Sequence, residues 1–208
     1  SGLAFQNKVE ASMKKVGLQA SQVVPGIFYG RERDSEDGNI REWIIVAVST
    51  DDFRYFGTDK AVAKFETDLE KEMKLDTMSD DATNDYLSVE IKQDLKNGTC
   101  ELKQSKYWEA ALERFKDYFP NGPKPRATPL PEGLKLKEPT DAEIEEAAEL
   151  PYRELMGVLN FPTAFTKIEL KYSISTLSQH LKGWGVIHFE MALHSLEYGY
   201  TTRICGLI

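Results

Sequence analysis

Asp51 and Asp52 form the pair of residues in this chain whose types and spacing point most clearly to chemistry. The pair follows an apolar run at residues 43–48 and precedes an aromatic-rich run at residues 53–56, which Gly57 ends. That order predicts a β-hairpin with two adjacent carboxylates at its tip. A buried carboxylate costs several kcal/mol unless it is paired or bound to a metal. The pair is therefore either a solvated turn, which turn propensities favour, or a cation site.

The composition is that of a globular protein with no membrane partner. Hydrophobic residues make up 41% of the chain and charged residues 29%, which is ordinary for a folded domain. Because no apolar run reaches membrane-spanning length and residues 1–9 lack a signal-peptide pattern, we expect an intracellular protein of the cytoplasm or nucleus. Cys100 and Cys205 are too few and too isolated for a disulfide framework or a zinc site.

The charge balance argues against a broad surface for nucleic acid. The formal net charge is −8, whereas proteins that grip phosphates usually carry a basic face. Charge is uneven, since residues 101–137 carry eight Lys or Arg against five Asp or Glu, and residues 138–154 carry one against seven. Any contact with nucleic acid is therefore expected to be local. The basic candidates in a proline-rich stretch, for which a merely solvated loop is an equal alternative, are Lys124, Arg126, Lys135 and Lys137.

Hydrophobic periodicity predicts an α+β fold. Strands and helices are mixed in residues 1–119, and helices dominate residues 140–208. The connection at residues 120–139 holds six of the nine prolines of the chain and is expected to be irregular. We therefore predict three regions with these boundaries.

Local signals place the individual elements. Besides the hairpin, the predicted strands are 27–29, 86–91, 99–102 and 201–208. The predicted helices are 3–16, 59–74, one capped by Ser105, one begun by the Thr140–Glu143 capping box, one with Pro151 in its first turn, and two marked by apolar spacing at 170–181 and 186–196.

Other reactive residue types give weaker signals. His180, His188 and His194 fit no metal-ligand spacing, so a core or solvated role is favoured for them. Ser49 and Thr50 precede the aspartates but have no adjacent histidine base, so nucleophilic catalysis is not supported.

Several short segments, in order along nearly the whole chain, resemble the reverse transcriptase domain of Ty1/copia-type retrotransposons. The family has an apolar strand, Y-V-D-D, a second strand that ends in glycine, and then a helix. The matching segments here are VAVSTDD at 46–52 with FG at 56–57, LKQSKY at 102–107, TPL at 128–130, PYRELMGVL at 151–159, LSQ at 177–179, and the helix around His188. The resemblance rests on these segments occurring in the same order as in the family.

The resemblance implies a palm-like antiparallel sheet with packed helices, followed by a helical thumb-like region. In such polymerases the hairpin aspartates and a third carboxylate hold two Mg²⁺ ions, which stabilise an in-line displacement on a nucleoside triphosphate. Carried over residue by residue, Asp51 would be the principal metal ligand and Asp52 the supporting one. The implied partners are an RNA or DNA template and its primer.

Departures from the family pattern leave two hypotheses open. Ser49 and Thr50 stand where the family has tyrosine and valine, and Leu193 and His194 stand where it has basic residues. The third aspartate and the nucleotide-binding fingers of the family lie upstream of these motifs. The chain is therefore either part of a polymerase, active only when an upstream segment completes it, or a catalytically inactive module of retroelement origin with a protein partner. We expect the chain alone to be inactive.

Overall fold

The computed structural model describes residues 2–33, 38–49, 52–72, 83–94 and 96–207. The chain forms two compact units, residues 1–81 and 82–208, and each has its own apolar core. Both units combine helices with an antiparallel sheet, which confirms the predicted α+β class. The boundaries that composition suggested, at residues 119 and 139, stay a prediction. Within the described residues, no helix is both long and apolar enough to cross a membrane.

The first unit is a four-stranded antiparallel sheet with a helix before it and a helix after it. Its elements are α1 (Gly2–Lys15), β1 (Gln19–Ala20), β2 (Ile27–Arg33), β3 (Ile40–Ser49), β4 (Asp52–Gly57) and α2 (Asp59–Glu72), with the strands side by side in chain order. The core lies between the helices and one face of the sheet, where the buried side chains are Val9, Met13, Leu18, Phe28, Ile44, Val46, Phe65 and Leu69. Strand β2 extends to Arg33, beyond the predicted end at residue 29, because it pairs with β3 along its whole length.

Helix α1 ends at a glycine, as its sequence predicts. Gly17 has a φ of +84°, in the left-handed region that favours glycine. The amide of Leu18 then donates a hydrogen bond of 2.9 Å to the carbonyl of Met13, which satisfies a carbonyl of the last turn. The chain then leads into β1.

The second unit begins with a three-stranded antiparallel sheet, β5 (Thr83–Tyr86), β6 (Val89–Asp94) and β7 (Thr99–Lys103). Its helices are α3 (Ser105–Arg114), α4 (Asp141–Glu146), α5 (Tyr152–Asn160), α6 (Lys171–Ser178) and α7 (Val186–Thr201), with short 3₁₀ turns at Lys116–Tyr118, Pro162–Ala164 and Ile168–Leu170. The largest fully buried apolar side chains of this core are Trp108, Phe115, Tyr152, Leu155, Leu159, Leu170, Leu177 and Leu196.

Two strand predictions in the second unit are wrong. The segment 86–91 is not one strand, because Leu87 and Ser88 form a two-residue turn with φ values of +51° and +61° between β5 and β6. Neither residue is the Asn or Gly that usually marks such a turn, so the sequence carried no signal. The described part of the segment 201–208, which ends at residue 207, is also not a strand. Helix α7 continues to Thr201, and residues 202–207 make one isolated bridge, between Leu102 and Leu207.

Of the helix N-caps predicted at Thr140 and Ser105, the first is present and the second is not. The Thr140–Glu143 capping box is present, with the amide of Thr140 donating to the Glu143 carboxylate at 2.7 Å. Ser105 does not cap α3, because its hydroxyl donates to the carbonyl of Arg203 at 3.1 Å. The carboxylate of Glu90 on β6 accepts from the first-turn amide of Lys106 at 2.9 Å instead. A partner distant in sequence thus replaces the expected cap.

Candidate functional site

Strands β3 and β4 pair as the sequence predicts. They are antiparallel, and their register places Val48 opposite Phe53 and Ser49 opposite Asp52. Asp52, the first residue of β4, is exposed. Asp51, for which we predict the principal metal role, and Thr50 lie outside the described residues. The metal role of the two aspartates stays a prediction.

The described residues do not complete a magnesium site. Among them, no group of three His, Cys, Asp or Glu side chains is placed to hold a metal ion. Mg²⁺ demands near-octahedral oxygen coordination, of which protein carboxylates usually supply one or two ligands and water and phosphate the rest. On the described part of the hairpin, Asp52 offers a single carboxylate. The described part of the hairpin thus supplies one possible ligand, and a complete magnesium site stays a prediction.

The helices of the first unit fix the position of the hairpin. Ile44 and Val46 of β3 are buried beneath them, at 4% and 0% exposure. The Tyr55 hydroxyl of β4 donates to the Glu66 carboxylate of α2 at 2.6 Å. The hydroxyl of Thr58, which immediately precedes α2, donates to the carboxylate of Glu42 on β3. These contacts tie both strands of the hairpin to the same helix.

The proline-rich connection, residues 120–139, is called the strap below. It has no regular secondary structure, but it is anchored to helix α7. The carboxylate of Glu197 on α7, with a side chain only 5% exposed, accepts from Arg126 Nε at 2.7 Å and from the Lys124 amide at 2.7 Å, and lies 2.7 Å from Arg126 Nη2. A buried carboxylate is costly unless it is paired and hydrogen-bonded, and the strap supplies both.

Three further bonds hold the strap on α7. Nε2 of His194 lies 3.0 Å from the Thr128 carbonyl, and the Ser195 hydroxyl donates to the Pro129 carbonyl at 2.9 Å. The Arg126 amide donates to the hydroxyl of Thr201 at 3.3 Å. Since prolines lack an amide hydrogen, the strap offers carbonyls, and the side chains of α7 satisfy them. The strap is an ordered part of the second unit.

The contacts between the strap and helix α7 affect the predicted nucleic-acid role of its basic residues. Arg126 is engaged by Glu197 through Nε and Nη2, so part of its capacity to bind phosphate is already used. Lys124, Lys135 and Lys137 have exposed side chains. A role for these three lysines in nucleic-acid binding stays a prediction.

The three histidines lie in the second unit, and each is more than nine-tenths buried. The rings of His180 and His188 have centroids 4.1 Å apart. The Gly185 amide donates to Nδ1 of His188 at 3.1 Å. Burial, and then the neighbouring His180, lowers the pKa of His188, and burial lowers the pKa of His194. These positions agree with the core role favoured from the sequence.

One set of candidate residues escaped the sequence reasoning. Tyr29, Trp43 and Phe56 lie on the face of the first sheet opposite the helices, together with Arg31 and Arg54. Alternation along β2, β3 and β4 was the available signal, because side chains two apart share a face. The sequence does not tell which face the helices cover.

Comparison with known proteins gives a transposon match over nearly the whole chain. The chain is 28% identical over 203 residues to a Saccharomyces cerevisiae protein named for transposon Ty5-1, a match that covers 97% of this chain. It covers 61% of that protein, so the chain spans less than two thirds of the length of its relative. No family model matches the chain. No solved structure matches it. The similarity indicates a retrotransposon-derived sequence.

Proposed function

We infer that this chain is part of the reverse transcriptase of a Ty1/copia-type retroelement, an RNA-directed DNA polymerase. One observation carries this inference: β3 and β4 pair with Ser49 opposite Asp52, in the segment where the family resemblance expects the metal-binding hairpin. The similarity to a transposon protein along 97% of the chain supports the same origin.

The residues of the chain have the following roles in this proposal. The hairpin presents the carboxylates of Asp51 and Asp52 together, and helices α1 and α2 hold it rigid from behind. As in the family, the site needs a third acid, which the resemblance places upstream of the hairpin motifs. When bound, Mg²⁺ would stabilise the charge that develops on the attacking and leaving oxygens during nucleotide transfer. Without that third acid, we expect no polymerisation.

The alternative is an inactive module of retroelement origin that binds a protein partner. One observation is compatible with it. Arg126 of the strap, a candidate phosphate contact, is engaged by Glu197.

Primer extension separates the two proposals. The purified chain and the product of its whole reading frame are given a primed RNA or DNA template, nucleotides, and Mg²⁺ or Mn²⁺. The polymerase proposal predicts extension by the whole-frame product and none by the chain alone. A whole-frame product that copies no template would support the inactive module. An integrase before this segment and a ribonuclease H after it in the reading frame would place it in an element's polyprotein.

A further inference from the structure

Two buried histidines of the second unit are packed together and have no part in the proposed function. His180 lies just after α6, and His188 lies in the first turn of α7; they are 6% and 1% exposed. Their ring centroids lie 4.1 Å apart. Nδ1 of His180 and Nε2 of His188 are buried and make no hydrogen bond to any residue that the structure describes. Since buried polar atoms are normally hydrogen-bonded, this pair is a candidate for a functional role.

The hydrogen bond of His188 requires its neutral form. The Gly185 amide donates to Nδ1 of His188 at 3.1 Å, and an amide nitrogen can only donate, so this Nδ1 carries no proton. Gly185 immediately precedes α7, and the bond is the returning half of a capping box, in which the third helical residue accepts from the residue before the helix. A proton on Nδ1 would set two donors against each other and break the cap.

The surroundings of His188 also oppose its charged form. The N-terminus of a helix carries partial positive charge, which repels an imidazolium in the first turn of α7, and a second charge on His180 would repel it too. Glu138 and Glu143 act in the other direction. However, the Glu138 side chain is 86% exposed and screened by water, and the Glu143 carboxylate already accepts two hydrogen bonds from Thr140. The balance lowers the pKa of His188, with burial as the largest cause and His180 as the next.

The end of the strap and helix α4 lie against this pair. Residues 138–147, which span both, are called the latch segment. The Glu138 carboxylate lies 3.8 Å from Nδ1 of His180. The indole Nε1 of Trp184 donates to the carbonyl of Ala147 at 3.1 Å. Both ends of the latch segment therefore contact the turn between α6 and α7.

The same turn packs closely on the middle of the latch segment. A Cβ placed on Gly183 would lie 2.8 Å from Cδ1 of Ile144, and a Cβ placed on Gly185 would lie 3.6 Å from Cβ of Pro139. At these distances the two segments have little freedom to move independently. A shift of Gly185 that follows the loss of its bond to His188 therefore displaces the latch segment.

We propose that His180 and His188 form an acid-sensitive latch. Neutral rings hold the latch segment on the turn at residues 179–185, and protonation of His188 releases this segment and frays the first turn of α7. The rest of the second unit stays folded, because the Glu197 anchor lies nine residues further along α7 and does not involve this pair. This regulation goes beyond the proposed polymerase role, since none of these groups belongs to the hairpin.

Hydrogen exchange of the whole chain, followed by mass spectrometry from pH 7.5 to 5.5 and corrected for the intrinsic exchange rate, measures the opening. Exchange should become faster at residues 138–147 and 185–190 as the pH falls, with α5 as the internal control. Between the ordinary histidine pKa of about 6.5 and the lowered pKa of His188, opening should increase by up to about tenfold per pH unit, as the uptake of one proton requires. Glu143 stays charged over this range, because its hydrogen bonds to Thr140 lower its pKa.

Three variants identify the group that titrates. His188→Gln keeps an acceptor for the Gly185 amide, as in a capping box, but does not titrate, so opening should stay constant within about twofold over this pH range. His180→Gln removes a neighbouring charge and should reduce the acid-driven increase. His194→Gln removes another buried histidine of α7 and is the matched control, which should open like the unsubstituted chain. Circular dichroism melts establish that each variant is folded, and His180→Gln serves if His188→Gln is not.

Three results would overturn the proposal. The first is exchange in the latch segment that follows that of α5 at every pH, since the second unit would then open as a whole or not at all. The second is acid-driven opening that survives in His188→Gln or is unchanged in His180→Gln, which would assign it to other groups. The third is an equal loss of acid-driven opening in His194→Gln, which would mean that the pair has no special role.

Discussion

Replacing Glu197 with glutamine tests whether the strap is fastened to helix α7 by a buried charge. The carboxylate accepts hydrogen bonds from the Lys124 amide and from Nε of Arg126, and it lies 2.7 Å from Nη2 of Arg126, while its own side chain is 5% exposed. A glutamine offers one acceptor oxygen and turns an amide donor toward one of these donors. At least one buried donor is then unsatisfied, at about 1–3 kcal/mol. Loss of the ion pair with Arg126 adds to this cost. The addition is small because the Arg126 side chain is 32% exposed and water screens its charge.

We therefore expect Glu197→Gln to lower the free energy of unfolding by about 2–3 kcal/mol and the melting temperature by roughly 5–10 °C. Urea unfolding followed by tryptophan fluorescence measures this, because Trp108 and Trp184 lie in the same unit. Glu190→Gln, at an exposed site on the same helix, is the matched control and should cost less than about 0.5 kcal/mol.

A double-mutant cycle of Glu197→Gln with Arg126→Met isolates the ion pair, and we expect a coupling energy of at least about 1 kcal/mol. If Glu197→Gln behaves like the exposed control, or if the cycle shows no coupling, the strap is not held by this contact.

The remaining predictions concern packing, a turn and pH. Gly199→Ala should destabilise the second unit by about 1–3 kcal/mol or more, because its new Cβ would collide with the ring of the fully buried Trp108. Gly157→Ala, at a helical site with open space around it, should instead raise the free energy of unfolding by up to about 1 kcal/mol. If chemical unfolding shows the same change in this free energy for both glycine variants, the packing of Gly199 against Trp108 is contradicted. Ser88→Gly should raise the free energy of unfolding by about 1 kcal/mol, since Ser88 has a φ of +61°, and an unchanged urea midpoint would argue against that backbone. The lowered pKa of His188 favours its neutral form in the folded state, so its contribution to stability is present above about pH 6.5 and is lost as the pH falls through the folded pKa. His188→Gln should flatten the decline of stability between neutral and mildly acidic pH, and an unchanged slope would show that other groups cause it.

Much of the fold was predictable because its elements follow simple periodicities. Val9 and Met13 of α1, and Phe65 and Leu69 of α2, are spaced by four and are buried as that spacing predicts. The β3–β4 hairpin follows from an apolar run, a polar break and an aromatic run. In each case the signal is local, and a single apolar face decides the structure.

What escaped prediction depends on partners far apart in sequence. The strap looks like a linker by composition. Its contacts with helix α7, including those with Glu197 more than seventy residues away, make it an ordered segment. The turn at Leu87 and Ser88 adopts a backbone that neither residue prefers, so tertiary pairing of β5 with β6 overrides propensity.

The candidate site was only partly predictable for the same reason. Motif order singles out Asp51 and Asp52 as candidate ligands, which stays a prediction, and the further ligands of a metal site cannot be predicted from spacing. The alternation in β2, β3 and β4 shows that Tyr29, Trp43 and Phe56 share one face of the first sheet. Which side the helices cover is a tertiary property that emerges only from the packed unit.

Primer extension by the whole reading-frame product, with single substitutions at the hairpin, tests the central claim most directly. Asp51→Asn and Asp52→Asn should each reduce Mg²⁺-dependent nucleotide incorporation by at least about a hundredfold. Asp59→Asn, which removes an exposed acid at the start of α2, should leave incorporation nearly unchanged. Incorporation that survives both hairpin substitutions would contradict the assignment of these two aspartates to metal-dependent nucleotide transfer.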